Sequence, residues 1–193
     1  TQFSNFTSEQ TNLLFKTINS MLIGTSVEFQ KANQDSFQSI LISLQSQQLL
    51  LLKNSSSAKS EILLEQIKII SEKISLLNVK SREFSTNTGA GECDIPQSLL
   101  VKLASLGHNT LFFNEVTSPY SINGFSDSLM VPIGDITSIE ILDDNLQAIE
   151  INNLPEPIII KLPVQPNDIA ALKTNEFLQP MFYNTLTQKW SKV

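Results

Sequence analysis

One histidine, one cysteine and a scatter of acids are the groups in this chain that could do chemistry. His108 could act as a general base, but a catalytic triad needs a nucleophile and an orienting acid brought beside it, and no spacing places either. Cys93 stands between Glu92 and Asp94, without a His or Lys to lower its pKa, and reads as an inert thiol. A single cysteine closes no internal disulfide, and one His with one Cys is too few for a zinc set. Asp127, Asp135, Asp143 and Asp144 carry oxygen ligands, yet their spacing matches no calcium loop, so they read as solvated turn acids. The 6 glycines are scattered and form no phosphate loop. No catalytic, cofactor-binding or metal-binding residue is assigned, and neither an enzyme activity nor a small-molecule substrate is expected. Two acceptor triplets for N-linked sugar remain, Asn5-Phe6-Thr7 and Asn54-Ser55-Ser56.

The elements that would position these groups divide at the prolines, because all 8 lie at or after Pro96. Before them the apolar period is helical. Thr7-Ser8-Glu9-Gln10 has capping-box spacing, Leu14, Ile18, Met21 and Leu22 share a face, and Gly24 closes the helix. A second helix is expected from Ser26 to about Lys53, with Phe37, Leu41, Leu44 and Leu51 inward. A third is expected from Ser57 to Asn78, where Leu63, Ile67, Ile70, Ile74 and Leu77 imitate a heptad seam. Thr86 to Gly91, TNTGAG, reads as a linker.

Beyond it the pattern shortens to strands at Thr110–Val116, Leu129–Ile133, Ile136–Leu142, Ala148–Ile151 and Ile158–Leu162. Asp143-Asp144-Asn145 supplies a hairpin turn. Phe112, Phe113, Phe177, Phe182 and Tyr183 read as core aromatics rather than a docking patch. The expected fold is α+β: a three-helix bundle over 1–85, then an antiparallel β-sandwich over 86–193.

At 193 residues, with 41% hydrophobic and 17% charged residues, the composition is that of a folded domain. A net charge of −6 with Arg82 as the one arginine argues against a nucleic-acid partner, which needs clustered Lys and Arg. The acidity sits in the second half: residues 1–80 hold 7 Lys against 6 acids, and residues 81–193 hold 6 basic residues against 13 acids. No signal-peptide pattern is visible, and no apolar run approaches the roughly 20 residues that span a bilayer. A chain beginning at Thr1 reads as a piece of something longer.

The order of these pieces resembles the GAIN domain, the juxtamembrane module of adhesion G-protein-coupled receptors and polycystin-like membrane proteins. The resemblance is carried by Ile95-Pro96 with Leu99-Leu100, Ser118-Pro119-Tyr120, Ser138 to Ile141, and Asn153-Leu154-Pro155-Glu156-Pro157-Ile158-Ile159-Ile160. Met181-Phe182-Tyr183 with Trp190 completes it. The stretch Ile151 to Leu162 is its most specific part, with Asn153, Leu154, Pro157, Ile158 and Ile160 as pattern residues.

The resemblance implies a helical subdomain followed by a β-sandwich that scaffolds a GPS autoproteolysis site, with Phe182, Tyr183 and Trp190 close to that site. It implies that the cleavage tripeptide and the sandwich's last strand lie past the C-terminus of this chain. The C-terminal remainder of the same protein is then the first partner, with other proteins beyond it. It further implies the extracellular face of a membrane, at the cell surface or on a cilium, and a structural role as part of a glycosylated receptor. Met181 stands where the family's motif has a Cys. His108-Asn109-Thr110 imitates a cleavage site but precedes a strand in the middle of the chain, where the family does not cut. A different reading of the same elements is a cytosolic adaptor that pairs through its long helices and binds peptides with its β half.

Overall fold

The protein is described by a computed structural model covering residues 6–77, 84–87, 92–122, 135–152, 154, 156–162, 169–170, 172–173, 176–184 and 189–192. The architecture is α+β; among the described residues it has four α-helices, a four-stranded antiparallel sheet and smaller strand assemblies. Helix α1 (Ser8–Gly24) starts on the expected capping box: Gln10 N donates to Thr7 Oγ1 at 3.3 Å and Thr7 N donates to Gln10 Oε1 at 2.9 Å. The expected second helix is broken at Asn33 into α2 (Val27–Ala32), capped by Ser26, and α3 (Gln34–Asn54). Phe37, Leu41 and Leu44 face inward as expected. At the C-terminal end Leu49 and Leu52 are the buried leucines, and Leu51 is only half-buried.

The third helix is not there. Its residues form β1 (Lys59–Leu63) and β2 (Lys68–Ser75), an antiparallel hairpin closed by Leu64 N donating to Ile67 O at 2.8 Å. The heptad-like seam is accidental, because Leu63 and Leu77 are 56% and 75% exposed while Ile69, outside the seam, is fully buried. Five isoleucines between 62 and 74 favour the pleated, two-sided burial of a central strand over a helix. Asn19 of α1 fixes the turn, its Oδ1 accepting from Gln66 N at 2.8 Å.

Strands β3 (Phe84–Asn87) and β4 (Glu92–Ile95) pair with Asn87 opposite Glu92, so the expected TNTGAG linker joins two neighbouring strands. Helix α4 (Gln97–Ser105), which no periodicity reading anticipated, follows Pro96 at its N-cap. Then come β5 (Thr110–Ser118), β6 (Ile136–Leu142), β7 (Ile159–Lys161), β8 (Met181–Asn184) and β9 (Lys189–Lys192). The large sheet has the order β1-β2-β5-β6, so it takes two strands from before residue 85 and two from after. A second sheet has the order β3-β4-β7, and among the described residues β8 pairs with β9 alone. The expected strand at Ala148–Ile151 is reduced to a bridge between Ala148 and Leu142 and one bond from Ile149 N to Ile141 O. The expected strand at Leu129–Ile133 lies outside the described residues.

Residues opposite one another in the register share a face, which sorts the core into two layers. On one face Ile62, Ile69 and Val116 pack with Phe15, Ile18 and Leu22 of α1 and Phe37, Leu41 and Leu44 of α3. On the other, Leu111, Phe113 and Ile141 pack with Cys93 and Ile95 of β4 and Leu99, Leu100 and Leu103 of α4. Each fully buried Leu, Ile or Phe stabilises the fold by about 1.5–3 kcal/mol, so both layers depend on the same central strands. A polar row crosses the helix-facing side, where Ser71 Oγ donates to Asn114 Oδ1 at 2.8 Å with both residues buried.

Candidate functional site

The residues that carry the resemblance are spread over four places, one of them Ser138 to Ile141 within β6, where Ile139 stands opposite Glu115 and Ile141 opposite Phe113 of β5. Of the other three, the first is the corner after β5. Ser118-Pro119-Tyr120 leads into a single 3-10 turn over Tyr120–Ile122, closed by Ile122 N donating to Pro119 O at 3.3 Å. Ser121 Oγ donates to Gln30 Oε1 in a buried bond, and Gln30 Nε2 donates to Leu22 O at 2.6 Å and Thr25 O at 3.2 Å. One glutamine thus satisfies carbonyls at the end of α1 and ties them to the end of β5. Lys31 Nζ lies 5.6 Å from the centre of the Tyr120 ring, a cation–π distance. No periodicity marks Gln30; the one local signal is the Ser26 cap that starts its short helix.

The second place surrounds β4 and α4. Ile95, Leu99 and Leu100 are buried, with Pro96 between them at the helix N-cap. Leu154 and Ile158 are half-buried and pack against this same core, whereas Pro157 is exposed. Asn153 lies outside the described residues. Lys102 Nζ donates to Asn152 O at 2.8 Å, which anchors the chain just before the pattern begins. Strand β7 then runs beside β4, with Ile160 opposite Cys93 and Lys161 opposite Glu92. Ile159 and Ile160 are 49% and 51% exposed, so the IIIKL segment is an outer strand and not a buried one. Lys161 Nζ reaches Glu92 Oε1 at 3.0 Å and Asp94 Oδ2 at 3.1 Å, and these bonds, Glu92 first, raise its pKa.

The third place is the β8–β9 hairpin, in which Tyr183 stands directly opposite Trp190 and Phe182 opposite Ser191. The side-chain burial of Phe182, Tyr183 and Trp190 lies outside the described part of the structure. Phe177, expected in the core, is 73% exposed. Phe112 and Phe113 are buried, one on each face of the large sheet.

Among the described residues the groups with reactive chemistry do not converge. Cys93 is buried, and burial, followed by the charges of Glu115 and Asp94, pushes its thiol up to about 12. That is the opposite of an activated nucleophile. His108 sits in the turn from α4 to β5, its N donating to Leu103 O at 3.3 Å, after Gly107 at φ 95°. Such a left-handed angle at a helix C-terminus favours glycine. Asp143 serves the expected turn, its Oδ1 accepting from Gln147 N at 2.9 Å and Asn145 N at 2.8 Å. Those bonds, that from Gln147 first, lower its pKa, with His108 adding a smaller effect. Among the described residues no three His, Cys, Asp or Glu side chains are grouped closely enough to hold a metal ion, and no helix is long and apolar enough to cross a membrane. Asp127 and Asn5 lie outside the described residues; Asn54 is exposed at the end of α3.

A cleft of about 300 Å³ opens between α3 and β6, lined by Ile42, Leu49, Asn114, Glu140, Leu142 and Leu146. Its polar atoms form no constellation that would activate a bound molecule. No protein-family model matches the chain, and no curated protein matches it.

Proposed function

We propose that the chain is a GAIN-like structural and interaction module on the extracellular face of a polycystin-like membrane protein. In this reading the strands after residue 85, together with β1 and β2 from before it, make up a β-sandwich that scaffolds a GPS site in the segment following Trp190. The observation that carries the reading is the register of β8 with β9: an aromatic pair, Phe182-Tyr183, on one strand and Trp190 opposite Tyr183 on the next. The resemblance sets these three residues close to the GPS site. Leu154 and Ile158, packed on the α4 layer, and the Ser118-Pro119-Tyr120 corner support it from two other parts of the pattern.

The module holds and presents the scissile region; it contributes no reacting group. In the family the hydroxyl of a Thr or Ser attacks the preceding carbonyl with a His as base, and those groups would come with the continuing segment. That segment is the module's first partner, a last strand held by sheet hydrogen bonds whether or not the peptide bond is cut. The test is thermal unfolding of the chain with and without the segment that follows Val193 in the parent protein. The reading predicts a higher midpoint and slower amide exchange in the longer chain. Identical midpoints with identical exchange would contradict it.

The cytosolic-adaptor reading drew on a helical pairing surface from 26 to 78. Residues 59–63 and 68–75 are strands of the central sheet, so that continuous helical surface is lost to it.

A further inference from the structure

We propose that Asn54 carries an N-linked oligosaccharide, placed where α3 passes the chain to the open edge of the four-stranded sheet. Access to the glycosylating compartment rests on the extracellular reading above. Asn54 is the last residue of α3 and is exposed, as are Ser55, Ser56 and Ser57 after it. Around the acceptor the backbone is fixed by other groups. Ser55 Oγ donates to Leu52 O at 2.9 Å and accepts from Ser57 N at 3.2 Å, while Ser57 Oγ donates to Lys59 O at 2.7 Å. Lys73 Nζ, reaching across from β2, donates to Ser55 O at 2.9 Å.

The two groups that the transfer needs are the ones left over. Neither the Asn54 amide nor the Ser56 hydroxyl holds a side-chain hydrogen bond among the described residues. In the transfer the Asn54 Nδ2 forms a bond to the sugar C1 of a lipid-linked oligosaccharide diphosphate. The C1–O bond to the diphosphate breaks, the lipid diphosphate leaves with the electron pair, and the amide proton passes to the transferase or solvent. The hydroxyl two residues on is the recognition element of the acceptor triplet.

Among the described residues strand β1 is an edge of the sheet, and the outer backbone groups of an edge strand are a template for pairing with another chain. A surface pair between Lys59 Nζ and Glu61 Oε1 at 2.7 Å guards it, while Leu63 is exposed.

The experiment is to secrete this chain from eukaryotic cells behind a signal sequence, with a reporter acceptor triplet in a C-terminal tag. Peptide mass analysis follows removal of N-linked sugar by an amidase that leaves Asp at each occupied Asn. The expected result is conversion at both Asn54 and the reporter, with complete loss at Asn54 in N54Q and in S56A and retention in S56T. A converted reporter beside an unconverted Asn54 would overturn the inference. Because the signal sequence imposes secretion, that outcome would count against the site and leave the extracellular reading standing.

Discussion

Gln30 and Ser121, 91 positions apart in sequence, share a buried hydrogen bond that joins the helical layer to the corner after β5. The same Gln30 side chain also satisfies Leu22 O, so its removal leaves an acceptor and a hydroxyl without partners. Replacing Gln30 with Ala is expected to destabilise the protein by about 1–3 kcal/mol, the usual cost of orphaning buried polar groups. Denaturant unfolding of the variant checks this. Ser121→Ala, which removes only one partner, should cost less.

Cutting the chain at residue 85 is expected to leave two pieces that do not fold. The cut separates β2 from β5, whose pairing runs from Lys68 opposite Thr117 to Ser75 opposite Thr110. Circular dichroism and amide exchange of the two fragments, alone and mixed, measure the effect. A cooperatively folded 1–85 fragment would show that the helices and the β1–β2 hairpin are self-sufficient.

How much of this was legible in the sequence varies with how local the cause is. The capping box at Thr7, the stop at Gly24, the Asp143 turn and the strands at 110 and 136 follow from short-range rules, and the structure contains them. The β1–β2 hairpin is hard to read because β2, with Ile69, Ile70 and Ser71 buried in succession, lacks the alternation that identifies a strand. Leu63, Ile67, Ile70, Ile74 and Leu77 then fell by chance on a helical period. Helix α4 is too short for periodicity to show, and Gln30 is recognisable only once Ser121 has been folded beside it.

Ile159→Asp is expected to cost about 1 kcal/mol, the like charge of Asp94 opposite adding to the loss of half-exposed isoleucine surface. Ile159 lies on β7 opposite Asp94, 49% exposed, so a carboxylate there stays hydrated. Ile95→Asp is the contrast, because Ile95 is buried against α4 and a charge there has no partner. Thermal melts of the two variants should separate widely. Equal losses would mean that β7 is covered.

Cys93 should be alkylated about a thousandfold more slowly in the folded protein than in urea at pH 8, because thiolate is the reactive form. Burial raises its pKa from 9.0 to about 12. Between those values the unfolded chain releases a proton that the folded one keeps. The contribution of Cys93 to stability is therefore constant below about pH 9 and falls with a slope approaching ~1.4 kcal/mol per pH unit from there towards pH 12. Cys93→Ala should flatten that part of the profile, as read by denaturant midpoints across the range.

The extracellular placement of the module is tested most directly on intact cells that make the full parent protein, using an antibody raised against this folded chain. The account predicts that intact cells are stained and that permeabilising them adds little signal at the plasma membrane. Staining that arises only after permeabilisation would place the module in the cytosol and contradict it.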